Sequence, residues 1–167
     1  MIRFLADDHA GKLARWLRLL GYDTLHFAAI EDRELSERAA RDGRIVLTRD
    51  TTLAQRFSDI EVFRLDDEDP FRQLAAVIRR FDLDAESHTF TRCMMCNAPL
   101  EAVDKASCRD EVPAQAFARC QRFARCTGCR KLYWDGTHYL RMRERLGKLK
   151  DERGGMKDER GRMRDEG

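Results

Sequence analysis

No apolar run in this 167-residue chain approaches the roughly 20 residues that a bilayer-spanning helix needs, so a helical membrane protein is excluded by pattern. The N-terminus meets Arg3, Asp7 and Asp8 too early for a secretory signal peptide. Cysteine is missing from the whole first half. All six fall later, at Cys93, Cys96, Cys108, Cys120, Cys126 and Cys129, and four of them form two CxxC pairs. A secreted disulfide framework is therefore not the expectation; metal spacing in a reducing compartment is, and the expected location is cytoplasmic.

A dominant charge is lacking too, since the net charge is only +2. The balance hides an asymmetry. Residues 1–86 carry 14 basic against 18 acidic groups, residues 87–147 carry 11 against 6, and residues 148–167 carry 7 against 6. An acidic module is joined to a basic one. A basic module can hold a polyanion, and an acidic module acting on that polyanion requires metal ions to meet it. With 43% hydrophobic residues, the chain can build one core and a small satellite.

What is present starts with Ile2 to Gly21, IRFLADDHAGKLARWLRLLG, a short apolar strand ending at Asp7 and Asp8. A helix is expected from about His9 to Leu20, with Leu13, Trp16, Leu17 and Leu20 on one face and Lys12, Arg15 and Arg18 on the other. Gly21 is placed to stop it. Strands follow at Asp23–Phe27, Arg44–Thr48 and Ile60–Leu65, and helices at Glu31–Arg41, Thr51–Phe57 and from Asp69-Pro70 to Phe81. This βαβαβαβα order predicts an α/β fold: a parallel sheet with helices on both faces and strand order 2-1-3-4. Every strand-to-helix junction then lies on one edge, which gathers Asp7, Asp8, Asp32 and Asp50, with Asp66 and Asp67 further out. Residues 82–91 read as a polar linker. The KDERG near-repeat after Gly147 reads as a disordered tail.

The cysteine quartet is the strongest signal. Cys93, Cys96, Cys126 and Cys129, with 29 residues between the pairs, suit a closed structural zinc site that folds a small module. A redox CxxC pair, or Cys108 or Cys120 displacing a ligand, are the rival readings. The acids are less specific, because any α/β protein caps helices with Asp, as Asp69 is expected to do. Several unpaired acids on one edge do call for a cation, and oxygen ligands of this kind suit Mg²⁺ or Mn²⁺ in phosphodiester cleavage. Arg49 is the better phosphate ligand; Lys12, Arg15 and Arg18 equally fit a solvated helix face. Beyond residue 86, Arg119, Arg122, Arg125, Arg130, Lys131, Arg141, Arg143 and Arg145 interleave with Phe117, Phe123, Tyr133, Trp134 and Tyr139. Basic groups with stacking rings suit single-stranded RNA, although some of those rings must form a core. His138 reads as a structural histidine beside a complete quartet.

Joined together, FLADDHAGKLARWLRLLGYD, EDRELSERAARDGRIVLTRD, the paired CxxC motifs and YWDGTHYLRM resemble the Mut-seven C-terminal RNase domain family, over about residues 1–143. The resemblance implies a PIN-like nuclease domain at 1–86, a zinc ribbon at 87–147 and a metal-dependent RNase activity. It assigns Asp7, Asp32 and Asp50 to the catalytic Mg²⁺ or Mn²⁺ site. Asp8 and His9 depart from the family pattern, where less polar residues are expected, and PIN nucleases generally use four acids. FLADDH is also similar to the start of a response-regulator receiver domain, with Asp50 at the phosphoacceptor position. Receivers, however, need a hydroxyl residue after strand four and a lysine after a fifth strand. A third reading is a zinc-ribbon RNA-binding module on a silent PIN-like scaffold, because fold does not fix activity.

Overall fold

The computed structural model of the chain describes residues 2–137 and 139–147, apart from the Ala54 side chain. His138 and the tail at 148–167 lie outside the described residues. Four parallel strands, β1 (Arg3–Ala6), β2 (Asp23–His26), β3 (Ile45–Thr48) and β4 (Val62–Arg64), form a sheet in the order β2-β1-β3-β4. This is the expected order. Leu5 stands opposite Leu25 on one side and Val46 on the other, so the most apolar strands occupy the centre.

The helices are α1 (Gly11–Leu19), α2 (Asp32–Asp42), α3 (Leu53–Arg56) and α4 (Pro70–Phe81). Alternation along β1 divides the core between the two faces. Leu5 packs with Leu35 and Ala39 of α2, Val46 and Leu53. Phe4, one residue away, faces Tyr22 and Phe81, with ring centroids 6.2 and 5.6 Å distant. On that second face α1 meets α4 through Trp16 and Phe71, whose edge-to-face rings are 5.5 Å apart. Each fully buried Leu or Phe contributes about 1.5–3 kcal/mol, so these side chains dominate the stability of the sheet.

Two local devices set the ends of α1. Residues Asp8–Ala10 form a 3-10 turn and not the first turn of the α-helix, because the Asp7 carboxylate accepts from the amides of both His9 and Ala10. At the other end Gly21 has φ +90°, and a Cβ there would lie 2.3 Å from the His88 carbonyl oxygen. Both the backbone conformation and the space exclude a side chain. Gly21→Ala should lower the unfolding free energy by about 2–4 kcal/mol, read from the denaturant midpoint. The Asp69 carboxylate accepts from the amides of Phe71 and Arg72 ahead of Pro70, the N-cap expected for α4.

Beyond α4 the chain differs from the sequence expectation. Residues 82–91 are not a free polar linker: Leu83 and Ala85 are buried, the Asp84 carbonyl accepts from the Tyr22 hydroxyl, and the Phe90 amide donates to the Leu19 carbonyl. Two buried side chains and a few backbone bonds suffice to fasten a segment that looks hydrophilic on average. No fifth parallel strand follows β4 among the described residues, which removes the receiver reading.

A second, three-stranded antiparallel sheet is built from β5 (Leu100–Ala102), β6 (Phe123–Cys126) and β7 (Leu132–Trp134) in the order β5-β6-β7. The chain separates into two compact units, and the division does not fall at residue 86. Residues up to Glu101 together with Arg125–Lys131 make the first unit, so the cysteine loops belong with the parallel sheet. Ala102–Ala124 and the described residues from Leu132 make the second. The second unit contains α5 (Ala114–Arg119) and a small core of Cys108, Val112, Cys120 and Phe123, flanked by Phe117 and Trp134. Those rings pack as core. No helix among the described residues is long and apolar enough to cross a membrane.

Candidate active site and cysteine quartet

The carboxyl edge of the parallel sheet carries a connected chain of polar contacts. Thr48 ends β3, and its hydroxyl donates to Asp7 Oδ2 while accepting from the Asp50 amide at 2.9 Å. Asp50 Oδ1 in turn accepts from the Thr52 amide at 2.7 Å and the Thr52 hydroxyl at 2.8 Å. Its other oxygen pairs with Arg56 Nη2 at 3.0 Å, and the same nitrogen reaches Asp32 Oδ2 at 2.6 Å. Asp7, Asp32 and Asp50 thus join one network through Thr48 and Arg56.

The acids differ in setting. Asp7 is buried, with 8% of its surface exposed, whereas the side chains of Asp32 and Asp50 are 45% and 38% exposed. The Thr52 amide, then its hydroxyl, and further the Arg56 guanidinium hold the Asp50 carboxyl below the usual carboxylate range. Asp50 is accordingly ionised at neutral pH. Among the described residues, the acidic group whose ligand atoms all come within 4.8 Å of one another is Asp7, Asp8 and His9. Asp32 and Asp50 are not members of that group.

An oxygen-rich set with one arginine acting as its cation fits a divalent ion of the Mg²⁺ class. The sequence pattern did not single out Thr48 or Arg56, although Thr48 lies in the quoted RIVLTRD stretch. Asp66 pairs with Arg64 at 2.6 Å, and Asp67 accepts from the Asp69 amide at 2.8 Å. Neither joins the contact chain described above.

The basic candidates separate into two kinds. Lys12 and Arg15 are exposed on α1, and Arg49 is partly exposed in an ion pair with Glu68 at 2.6 Å. Arg18 is a correction to the helical-wheel reading. It is 6% exposed, and its guanidinium donates to the carbonyls of Thr24, Met94 and Met95 at 2.8, 3.0 and 2.9 Å. Three carbonyls satisfy a buried cation that has no surface left for RNA.

Those carbonyls tie Arg18 to the first cysteine knuckle. Asn97, just after Cys96, accepts from the Thr24 amide and donates to Asp23 Oδ1, and Asp23 is also held by Arg44 at 2.8 Å. The Cys93, Cys96, Cys126 and Cys129 Sγ atoms all lie within 4.8 Å of one another, an arrangement consistent with a zinc ribbon. Cys93–Cys129 and Cys96–Cys126 are 3.6 and 3.3 Å apart, against about 3.8 Å for the edge of a tetrahedron with Zn–S near 2.3 Å. The quartet could hold zinc. The Ala98 amide, more than any other group, lowers the Cys96 thiol to about 6, while burial raises that of Cys126. Cys108 and Cys120 are buried free thiols in the second unit and are not members of this group.

A family model described as the Mut7-C RNAse domain matches residues 2–146. No curated protein and no solved structure matches the chain. The match spans both the acidic edge and the cysteine quartet, and it is nearly as long as the chain itself: the protein belongs to the Mut7-C RNAse domain family.

Proposed function

We propose that this chain is a metal-dependent ribonuclease that hydrolyses RNA phosphodiester bonds at the carboxyl edge of its parallel sheet. The observation that carries the reading is the contact chain Asp7–Thr48–Asp50–Arg56–Asp32, in which Thr48 bonds the Asp7 carboxylate and the Asp50 amide and Arg56 bridges the carboxylates of Asp50 and Asp32. Asp7, Asp32 and Asp50 would hold one or two Mg²⁺ or Mn²⁺ ions. When bound, such an ion supplies a Lewis acid that activates water and offsets charge on the phosphate. Thr48 orients the buried Asp7 carboxylate by its hydrogen bond. Arg49, next to Asp50 in the chain and exposed, would exchange its Glu68 partner for a phosphate oxygen, with Lys12 and Arg15 adding positive potential from α1.

The zinc-bearing quartet is structural, since four thiolates close the coordination sphere. Exposed Arg119, Arg122, Arg141, Arg143 and Arg145 in the second unit support a role for that unit, beside the cysteine loops in sequence, in gathering single-stranded RNA. Six free thiols, four of them in metal geometry, support a reducing compartment, namely the cytoplasm.

The test is cleavage of labelled single-stranded RNA by purified protein in Mg²⁺ or Mn²⁺, with EDTA as control. Asp50→Asn should lower the rate by about 10²-fold or more while keeping its zinc and its RNA affinity. If wild type and variant are equally inert yet bind RNA equally well, a non-catalytic RNA-binding module replaces this reading.

A further inference from the structure

Arg56 sits where the proposed reaction would place a metal ion. A single guanidinium nitrogen touches a carboxylate oxygen of Asp32, at the start of α2, and one of Asp50, after β3. These acids come from different elements and meet through it. The pairing resolves a charge problem that the fold creates: two carboxylates gathered on one sheet edge repel each other unless a cation joins them. The side chain is 45% exposed, as are its partners to a similar degree, so each ion pair is weak and readily exchanged.

We infer that Arg56 is a displaceable internal cation of this site, an inference that rests on the ribonuclease reading. It holds Asp32 and Asp50 together and gives way when a divalent ion takes their oxygens. Once released, its planar guanidinium remains on the same edge, suited to grip a phosphate oxygen of the bound RNA. The same side chain thus competes with the metal before binding and assists the substrate after it. Arg49 pairs with Glu68 and not with these two acids, so the exchange is assigned to Arg56.

Mn²⁺ titration of the zinc-loaded protein, followed by electron paramagnetic resonance of the free ion, reads the competition without any turnover. Arg56→Gln should bind Mn²⁺ about three- to tenfold more tightly than wild type, from the loss of two weak ion pairs, and Arg56→Lys should return most of the way to wild type because the competing charge is restored. With RNA, Arg56→Gln should raise KM several-fold with kcat changed less. Equal or weaker Mn²⁺ binding by Arg56→Gln overturns the competition, as does Mn²⁺ binding that survives Asp32→Asn and Asp50→Asn unchanged. An unchanged KM overturns the phosphate role. If Mn²⁺ binding behaves as expected but no RNA is cleaved, the ribonuclease reading fails while the cation exchange stands.

Discussion

Asp7→Asn is expected to reduce kcat/KM for RNA cleavage by at least about 10²-fold while leaving the chain folded. The two oxygens of Asp7 have separate duties. Oδ1 accepts from the amides of His9 and Ala10 and so shapes the turn that leads into α1, whereas Oδ2 faces the Thr48 hydroxyl. Asparagine keeps an oxygen for the turn. Its amide nitrogen can donate to the Thr48 oxygen, so the packing around a residue with 8% exposure is retained. What disappears is the negative charge, and with it most of the attraction for a divalent ion in the buried part of the site.

Asp7→Ala is the useful contrast, because it removes the cap as well and should cost about a further 1 kcal/mol of stability. Cleavage rates, Mn²⁺ affinity and thermal midpoint measured on both variants separate the two duties. Activity within threefold of wild type in Asp7→Asn would remove Asp7 from the catalytic site.

Removal of zinc should unfasten α1 and β2 and not only the cysteine loops. In a classical small zinc module the metal organises its own segment alone. Here the Met94 and Met95 carbonyls, inside the first knuckle, are what satisfy buried Arg18 of α1, and Asn97 next to it supplies bonds to Asp23 and Thr24 of β2. Zinc in the quartet, as proposed, would be the bond that holds these groups in place, and its removal would release them. Arg18 is then a buried cation short of acceptors, a situation that costs several kcal/mol.

Chelation, or Cys126→Ser, should accordingly lower the thermal midpoint by about 10 °C or more. Hydrogen exchange should show amide protection falling together in 93–97, α1 and β2, with β3 less affected. A metal-free protein whose α1 amides stay protected would show that the knuckle is an ornament on an independently stable sheet. Wild-type protein should carry one zinc per chain.

Much of this molecule was legible in the amino-acid order. Hydrophobic periodicity marked the four strands and the helices between them, and the preference for right-handed crossovers then led to β2-β1-β3-β4 with the acids on one edge. The CxxC spacing marked the quartet, Gly21 the end of α1, and Asp69-Pro70 the start of α4. These signals are local, since each depends on residues close in sequence or on the chirality of the chain.

Only the tertiary structure decided the partners. A helical wheel reports which face of α1 is turned from the sheet, yet it carries no information about a segment more than 70 residues later that covers part of that face. Arg18 was therefore misplaced among the exposed cations. Thr48 and Arg56 acquire their roles from neighbours on other elements, Asp7 across the sheet and Asp32 at the start of α2. Residues 82–91 likewise look polar in composition and are fastened by two buried side chains and a handful of backbone bonds. Sequence determined which groups reach the carboxyl edge of the sheet; contacts between distant segments determined how they are paired there.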